Sequence, residues 1–250
     1  VQFRKETRDV IKVSENSDLD NTDEITVFSV VHPDTLDSSA RGIVVKRDGI
    51  DDNQSYNTFF WQNDELNFDV DGTGNRITGD GLASVDNSYL VGSRYSNSEG
   101  ESQLYLDGNE EGTSSFKTTI PDNPSPFRIG LLTTGGDAVN TTPFDRFFAG
   151  RIGEVIVYRT ALNEAQRTVV NTYLADKYGT STSGGEVFSY DNGSFSNDIA
   201  GIGRASSSDE HQFAKSSLLG FGAAGAANSS SPRSPRSTSE ADGRADLSPQ

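Results

Sequence analysis

One stretch of the sequence has the spacing of a calcium-binding loop. Its predicted ligands are Asp69, Asp71, Thr73, Asn75 and Asp80. EF-hand loops carry oxygen ligands at positions 1, 3, 5 and 12 with glycine at position 6, and here Gly74 has that sixth place. The match is partial, because position 12 is Asp rather than the longer Glu and the flanking residues are typical of strands. The sequence therefore predicts calcium as a cofactor, with a solvated hairpin loop as the alternative.

A second polar group lies next to aromatic residues of a predicted strand. It consists of Asp51, Asp52 and Asn53, followed by Tyr56 and Trp61. Carboxylates and amides can bind sugar hydroxyls by hydrogen bonds, while an aromatic face packs on the apolar face of a sugar ring. These residues are the predicted glycan-binding site. The alternative is that Trp61 belongs to the core, as a single Trp in a sandwich often does.

Residues for catalysis are scarce in the sequence. Glycoside hydrolases need two carboxylates that face the scissile bond, and the strand motif Glu-x-Asp-x-x-Glu is absent. His32 and His211 are the only histidines, there is no cysteine, and no Gly-x-Ser-x-Gly motif occurs. We therefore predict that the protein is not an enzyme. Carboxylates brought together from separate strands remain the alternative.

The sequence is strongly acidic, with a formal net charge of −16 from 37 acidic and 21 basic residues. A surface of that sign repels phosphate groups, which argues against nucleic acid and anionic membranes as partners. No apolar run reaches the roughly 20 residues that a membrane-spanning helix needs, so no membrane insertion is predicted. Because the first residue is Val rather than Met, we expect a processed chain or a piece of a longer protein.

Short segments rich in β-branched and aromatic residues recur along the chain. Clusters of Gly, Asn, Asp and Ser between them favour turns, and the Asp-Gly pair at 107–108 favours a tight hairpin. The predicted strands are residues 24–32, 42–46, 58–62, 66–70, 89–95, 103–107, 127–131 and 147–158. Many short strands separated by turns are typical of an all-β sandwich or barrel.

One segment has the period of a helix instead of a strand. From Glu164 to Lys177 the apolar residues recur every three or four positions, which predicts a helix with one apolar face. Asn163 can cap the N-terminus of this helix together with Gln166. Gly179 can adopt the left-handed conformation that ends a helix.

The end of the β-rich region resembles a known family. Residues 148–158 (FAGRIGEVIVY) and 173–179 (YLADKYG) resemble the closing signature of laminin-G-like, concanavalin-type domains of bacterial surface proteins. Upstream, residues 104–108 (LYLDG) fall in the family's order. The resemblance covers about residues 1–180. It implies a concanavalin A-like jelly-roll β-sandwich of two antiparallel sheets, with one short helix near residues 164–177.

The composition divides the chain into three regions. Residues 1–180 form the predicted sandwich, and residues 181–219 contain enough aromatic residues for a further β-rich segment that docks on the sandwich or follows it. Residues 220–250 are rich in Gly, Ala, Ser and Pro, which predicts a disordered tail. A linker, a truncation and a shifted reading frame would each produce such a tail.

The expected function follows mainly from the family resemblance. It implies an extracellular or cell-surface module that binds a polysaccharide or cell-surface glycan within a larger adhesion protein. Calcium is the predicted cofactor, and neighbouring domains of the same chain are expected partners. Two alternatives stay open: a structural spacer in a multidomain adhesin, and a polysaccharide-degrading enzyme of the same fold.

Overall fold

The computed structural model describes residues 1–20, 23–37, 39–47, 54–61, 64–79, 84–133 and 146–182, together with two short strands beyond them. The strands up to residue 158 are β1 (Gln2–Phe3), β2 (Ile11–Val13), β3 (Glu24–Pro33), β4 (Arg41–Arg47), β5 (Gln54–Trp61), β6 (Glu65–Val70), β7 (Arg76–Gly79), β8 (Tyr89–Ser96), β9 (Glu101–Leu106), β10 (Asn109–Ser115), β11 (Phe127–Ile129) and β12 (Gly150–Tyr158). The helix α1 spans Glu164–Tyr178. Further along, β13 (Phe213–Lys215) pairs with β14 (Gly220–Gly222) in antiparallel fashion.

The strands up to β12 form two antiparallel six-stranded sheets. The first sheet has the order β1-β12-β3-β8-β9-β10, and the second has the order β2-β11-β4-β5-β6-β7. Strands distant in sequence are neighbours in both sheets, since β12 lies between β1 and β3 and β11 lies between β2 and β4. The predicted all-β sandwich of two antiparallel sheets with one short helix is confirmed.

The main core lies between the two sheets, because successive side chains of a strand point to opposite faces. On β3, Ile25 and Val31 belong to this core, whereas Phe28 and Val30 lie in a smaller core on the other face. Leu174 of α1 packs into the smaller core and so covers the outer face of the first sheet. β3 is therefore buried on both faces, as its continuous apolar run predicts.

α1 begins and ends close to the predicted residues. The Asn163 side chain accepts a hydrogen bond from the Gln166 amide at 2.9 Å, and the Gln166 side chain accepts one from the Asn163 amide at 3.1 Å. These two bonds form a capping box. Gly179 follows the helix with a φ of 65°, the left-handed conformation that glycine adopts easily. Among the described residues, no helix is both long and apolar enough to cross a membrane.

We expect Asn163→Ala to lower the free energy of unfolding by about 1 kcal/mol, because it removes the acceptor of the Gln166 amide. Urea denaturation followed by circular dichroism measures this loss. Asn171→Ala is the matched control, since Asn171 lies inside the helix and caps nothing. Equal losses for the two variants would contradict the capping role of Asn163.

The region beyond residue 180 is described only in part. Residues 179–182 follow α1, and β13 and β14 are the later segments that the structure describes. The rest of the predicted 181–219 segment and of the predicted 220–250 tail lies outside the described residues. Their docking and their disorder therefore stay predictions.

Candidate functional site

The structure separates the two aromatic residues of the predicted glycan site. Tyr56 and Trp61 are five positions apart on β5, so their side chains lie on opposite faces of the sheet. Tyr56 is 1% exposed in the main core, and its hydroxyl donates to the Leu19 carbonyl at 3.1 Å. The two side chains therefore do not share one surface, and glycan binding by these residues stays a prediction. The other members of the predicted site lie outside the described residues: Asp51, Asp52 and Asn53.

Trp61 is half-buried on the outer face of the second sheet, next to two arginines. The guanidinium carbon of Arg76 lies 5.8 Å from the centre of the indole ring, and that of Arg146 lies 5.4 Å from it. Phe59 packs edge-on against the ring at 6.4 Å. Burial and the nearby Arg76 charge lower the pKa of Arg146. A sugar that stacked on Trp61 would have to compete with these cation–π contacts.

The predicted calcium loop folds as a β-hairpin. β6 and β7 pair in antiparallel register, which places Asp69 opposite Arg76, and the connection contains a short 3-10 turn at Thr73–Asn75. Arg76 donates two hydrogen bonds to the Asp69 carboxylate, from Nε to Oδ1 at 2.7 Å and from Nη2 to Oδ2 at 2.9 Å. The Asp69 side chain is 0% exposed. Its burial raises the pKa of Asp69, and the bonds from Arg76 oppose that rise.

The remaining predicted calcium ligands have different environments. Asp71 is exposed with a φ of 52°, and its Oδ2 atom accepts a hydrogen bond from the Thr118 hydroxyl at 2.6 Å. Thr73 is exposed, Asn75 is half-buried, and Asp80 lies outside the described residues. Since Arg76 already occupies the Asp69 carboxylate, a calcium ion would compete with a bidentate ion pair. Calcium binding at this loop stays a prediction.

A polar groove of about 480 Å³ lies between the β9–β10 hairpin and α1. Six of the side chains that line it carry most of its hydrogen-bonding groups: Gln103, Tyr105, Glu110, Glu164, Arg167 and Asn171. Together they bring amides, carboxylates, a guanidinium and a phenol to one surface depression. We take this groove as the candidate functional site.

Strand alternation determines which side chains of β9 line the groove. Leu104 and Leu106 point into the main core, so Gln103 and Tyr105 point outward toward α1. The turn at Asp107–Gly108 has φ values of 49° and 83°, both positive, as the Asp-Gly pair predicts. This turn returns the chain along β10 and brings Glu110 opposite Tyr105.

The helical period determines which side chains of α1 line the opposite side of the groove. Glu164, Arg167 and Asn171 are three and four positions apart, so they lie on one side of the helix. The Nη1 atom of Arg167 donates to the Leu162 carbonyl at 2.8 Å. Its guanidinium carbon lies 4.6 Å from the centre of the Tyr105 ring, a cation–π contact across the groove.

The Tyr105 hydroxyl differs from the other polar groups of this site in being buried without a hydrogen-bond partner in the described part of the chain. It is buried, and among the described residues no partner lies within hydrogen-bonding distance of it. Burial raises the pKa of Tyr105, so the phenol stays protonated at neutral pH and can donate a hydrogen bond. An unpaired buried hydroxyl costs about 1 to 3 kcal/mol. A ligand would recover part of that cost only if the side chains that cover the hydroxyl moved to let it in.

The groove combines residues that no sequence motif connects. Tyr105 and Gln103 are on β9, whereas Arg167 belongs to a helix more than fifty positions later. The polar spacing of Glu164, Arg167 and Asn171 is visible in the sequence, yet such spacing is also usual for a solvated helix face. Only the packing of α1 on the first sheet brings the two sets together.

Comparison with known proteins gives one family match. A family model, Laminin_G_3, described as the concanavalin A-like lectin/glucanases superfamily, matches residues 5–166. None of the curated proteins is detectably similar to the chain in sequence.

Solved structures with a similar fold have low sequence identity to this chain. A proposed carbohydrate-binding protein from Bacteroides ovatus is 16% identical with a TM-score of 0.52, over 66% of this chain and 44% of that one. The CBM40 of the Ruminococcus gnavus IT-sialidase, solved with bound α2,3-sialyllactose, is 12% identical with a TM-score of 0.52. The latter match covers 65% of this chain and 96% of that module. At these identities the similarity shows a shared fold.

Proposed function

Because the chain belongs to the concanavalin A-like lectin/glucanases superfamily, we propose that it is a non-catalytic glycan-binding module. The observation that carries this proposal is the polar groove between the β9–β10 hairpin and α1. Its volume of about 480 Å³ is that of a small-ligand site. The carbohydrate-binding proteins of similar fold support the same assignment.

The groups in the groove suit a ligand with many hydroxyls. The Glu110 and Glu164 carboxylates can accept hydrogen bonds from sugar hydroxyls, while Arg167 and the Gln103 amide can donate to them. The net charge of −16 repels polyanions over distances up to a Debye length. The proposed ligand is therefore a neutral polysaccharide or a neutral stretch of a cell-surface glycan.

The proposal includes the setting of the module. This chain spans 44% of the Bacteroides ovatus protein, and single modules of this size commonly belong to longer chains. We propose an extracellular or cell-surface location within a larger adhesion protein, where neighbouring domains present the groove. We propose calcium as a ligand of the 69–80 hairpin, bound through the oxygen atoms that the loop presents.

A glycan array tests the proposal directly. The full chain is applied to neutral and anionic glycans, once with added calcium and once with a chelator. We expect binding to a group of neutral glycans, confirmed for the best of them by calorimetry. A lack of binding across the array at millimolar ligand would refute the binding function and favour the structural spacer. Binding that persists with the chelator would refute the calcium requirement alone.

Tyr105→Phe separates ligand binding from stability. Removing the hydroxyl should weaken glycan binding about threefold to tenfold, if the ligand displaces the side chains that cover the hydroxyl and supplies its missing partner. The same change should leave the free energy of unfolding equal or raise it by about 1 kcal/mol, because an unpaired buried hydroxyl is lost. Calorimetry and urea denaturation measure the two effects. Tyr158→Phe is the matched control, since Tyr158 packs under α1 away from the groove.

The groove also holds two carboxylates, and this observation supports a second candidate function. Glu110 and Glu164 both line it, as a glycoside hydrolase would require of its acid and its nucleophile or base. Glu110 already accepts a hydrogen bond from the Gln103 amide at 2.8 Å. Release of reducing sugar from a bound polysaccharide tests this alternative. A rate that Glu164→Gln abolishes would establish an enzyme and refute the non-catalytic proposal.

A further inference from the structure

We propose that His32, Asp34 and Asp86 form a binding site for a divalent transition-metal ion. One ligand atom from each residue lies within 4.8 Å of the other two. His32 is near the end of β3, Asp34 directly follows that strand, and Asp86 lies in the turn before β8. The site is separate from the groove and from the 69–80 hairpin, and it does not rest on the proposed function.

Backbone hydrogen bonds bring the three residues together. The Asp86 amide donates to the Pro33 carbonyl at 3.0 Å, which ties the turn to the end of β3. The Asp34 amide donates to the Ala149 carbonyl at 2.9 Å, beside the start of β12. Because β3 and β8 are paired neighbours, the C-terminal end of β3 and the N-terminal end of β8 lie side by side at one end of the first sheet. The backbone positions of Asp34 and Asp86 relative to His32 are thus determined by these hydrogen bonds and the strand pairing.

The side chains of His32 and Asp34 are oriented as metal ligands usually are. The Nδ1 atom of His32 lies 3.1 Å from the Ser88 hydroxyl, which leaves Nε2 facing Asp34 Oδ1 at 4.0 Å. Asp34 Oδ2 accepts a hydrogen bond from the Gln2 amide group at 3.0 Å, which leaves Oδ1 for an ion. Hydrogen bonds to the second atom of a ligand group are the usual way in which proteins orient ligating His and carboxylate side chains.

The ligand set favours a transition metal over calcium. Calcium binds six to eight oxygen atoms, whereas imidazole nitrogen is a common ligand of zinc, copper, iron and nickel. Ligands of a tetrahedral zinc ion lie roughly 3.4 Å apart for bonds near 2.1 Å. The distance of 4.0 Å between His32 Nε2 and Asp34 Oδ1 must therefore shorten by about half an ångström when zinc binds. The Asp34 side chain, 45% exposed, is free enough to make that adjustment.

Zinc titration of the full chain tests the site. After treatment with a chelator and its removal, calorimetry should show one zinc ion per chain with a dissociation constant in the micromolar range. The melting temperature should rise by about 3 to 6 °C at a zinc concentration about ten times that constant. The absence of binding up to about 1 mM zinc would refute the proposal. That limit corresponds to a binding free energy weaker than about −4 kcal/mol.

The scarcity of histidine and cysteine gives a matched control. The chain has two histidines and no cysteine, so an imidazole ligand must come from His32 or His211. His32→Ala and Asp86→Asn should each weaken zinc binding at least about tenfold, while His211→Ala leaves it unchanged. Both affected residues lie near the surface, and thermal melts without zinc verify that the variants fold. Zinc binding that survives His32→Ala, or that His211→Ala abolishes, would overturn the assignment.

Discussion

Replacing Arg76 by Leu is expected to lower the free energy of unfolding by about 3 to 5 kcal/mol at pH 7. Arg76 supplies two hydrogen bonds to Asp69, whose side chain is 0% exposed. Without the guanidinium, the Asp69 carboxylate would be a buried charge without its bidentate partner. Leu retains an apolar side chain against Phe59 and Trp61, so the loss reports mainly on the charge. Urea denaturation measures it.

The loss should shrink as the pH falls. Burial raises the pKa of Asp69, and Arg76 and Arg47 oppose that rise, so the variant should raise this pKa further. In unfolded chains the pKa of an Asp carboxyl is about 3.9. When the pKa is higher in the folded state, the fold loses stability as the pH rises from the unfolded-state pKa to the folded-state pKa. We therefore expect a smaller difference between the parent chain and Arg76→Leu at pH 4.5 than at pH 7.

Two further variants make this prediction specific. Adding Asp69→Asn to Arg76→Leu should regain at least half of the loss, because the buried charge is gone. Arg4→Ala removes a cation of the exposed pair with Asp9, where Arg4 is 66% exposed, and should cost less than about 1 kcal/mol. A loss from Arg76→Leu no larger than that of Arg4→Ala would contradict the structural role of the buried pair.

The Arg76→Leu variant also tests the predicted calcium loop. In the parent chain the Asp69 carboxylate is held by Arg76, whereas in the variant it has lost that competitor. If the hairpin binds calcium through Asp69, millimolar calcium should restore stability to the variant more than to the parent chain. Equal effects of calcium on the two chains would speak against Asp69 as a ligand.

Features that depend on neighbouring residues could be predicted from the sequence. The Asp-Gly pair at 107–108 predicts a tight hairpin, and both residues have the required positive φ. Asn163, Gln166 and Gly179 predict the ends of α1, and all three cap it. These predictions succeed because the hydrogen bonds and backbone angles concerned lie within a few positions of each other.

A strand without apolar residues is predicted only through the turn that precedes it, here the Asp-Gly pair at 107–108. β10 spans Asn109–Ser115 and has no apolar side chain, so it lacks the alternation that reveals β9. It pairs as the edge strand of the first sheet because the preceding turn sets its register on β9. Pairing with a neighbour, rather than burial, determines its conformation.

Buried charges are equally hidden in the sequence. Lys46 is the last residue of the predicted strand 42–46, where a charged side chain is expected to face solvent, yet its side chain is 1% exposed. Its ammonium group lies 2.6 Å from Asp20 Oδ1 and donates to the Asn123 carbonyl at 2.9 Å. These partners are 26 and 77 positions away, so only the folded chain brings them to Lys46. The Asp69 pair with Arg76 differs in being formed within one hairpin.

The candidate site was hidden for the same reason. An aromatic residue beside acidic residues led to Trp61 and Tyr56, which strand alternation places on opposite faces of β5. The groove instead depends on the packing of α1 beside β9, and the helix position follows from Leu162 and Leu174 in the smaller core. The polar side chains of β9 and α1 therefore share one surface because apolar residues pack α1 against the first sheet.

Arg167→Ala is expected to weaken glycan binding about tenfold to a hundredfold, since hydrogen bonds to charged groups contribute roughly 1.5 to 3 kcal/mol. Arg167 is the cation that lines the groove from α1, where Glu110 and Glu164 supply negative charge. It also lies 4.6 Å from the Tyr105 ring, so its removal changes both the donor and the shape of the site. Calorimetry with the glycan selected on the array measures the change.

Arg159→Ala is the matched control, because Arg159 is 57% exposed, does not line the groove and carries the same charge. If long-range attraction to the arginines caused binding, the two variants would weaken it equally, and more so at low salt. A loss confined to Arg167→Ala and insensitive to salt indicates a local role of Arg167 in the groove and not long-range attraction. A melting temperature close to that of the parent chain is needed as well, because Arg167 also donates to the Leu162 carbonyl and could act by holding α1 in place. Only the combination of weak binding and an intact fold assigns the sugar contact to Arg167.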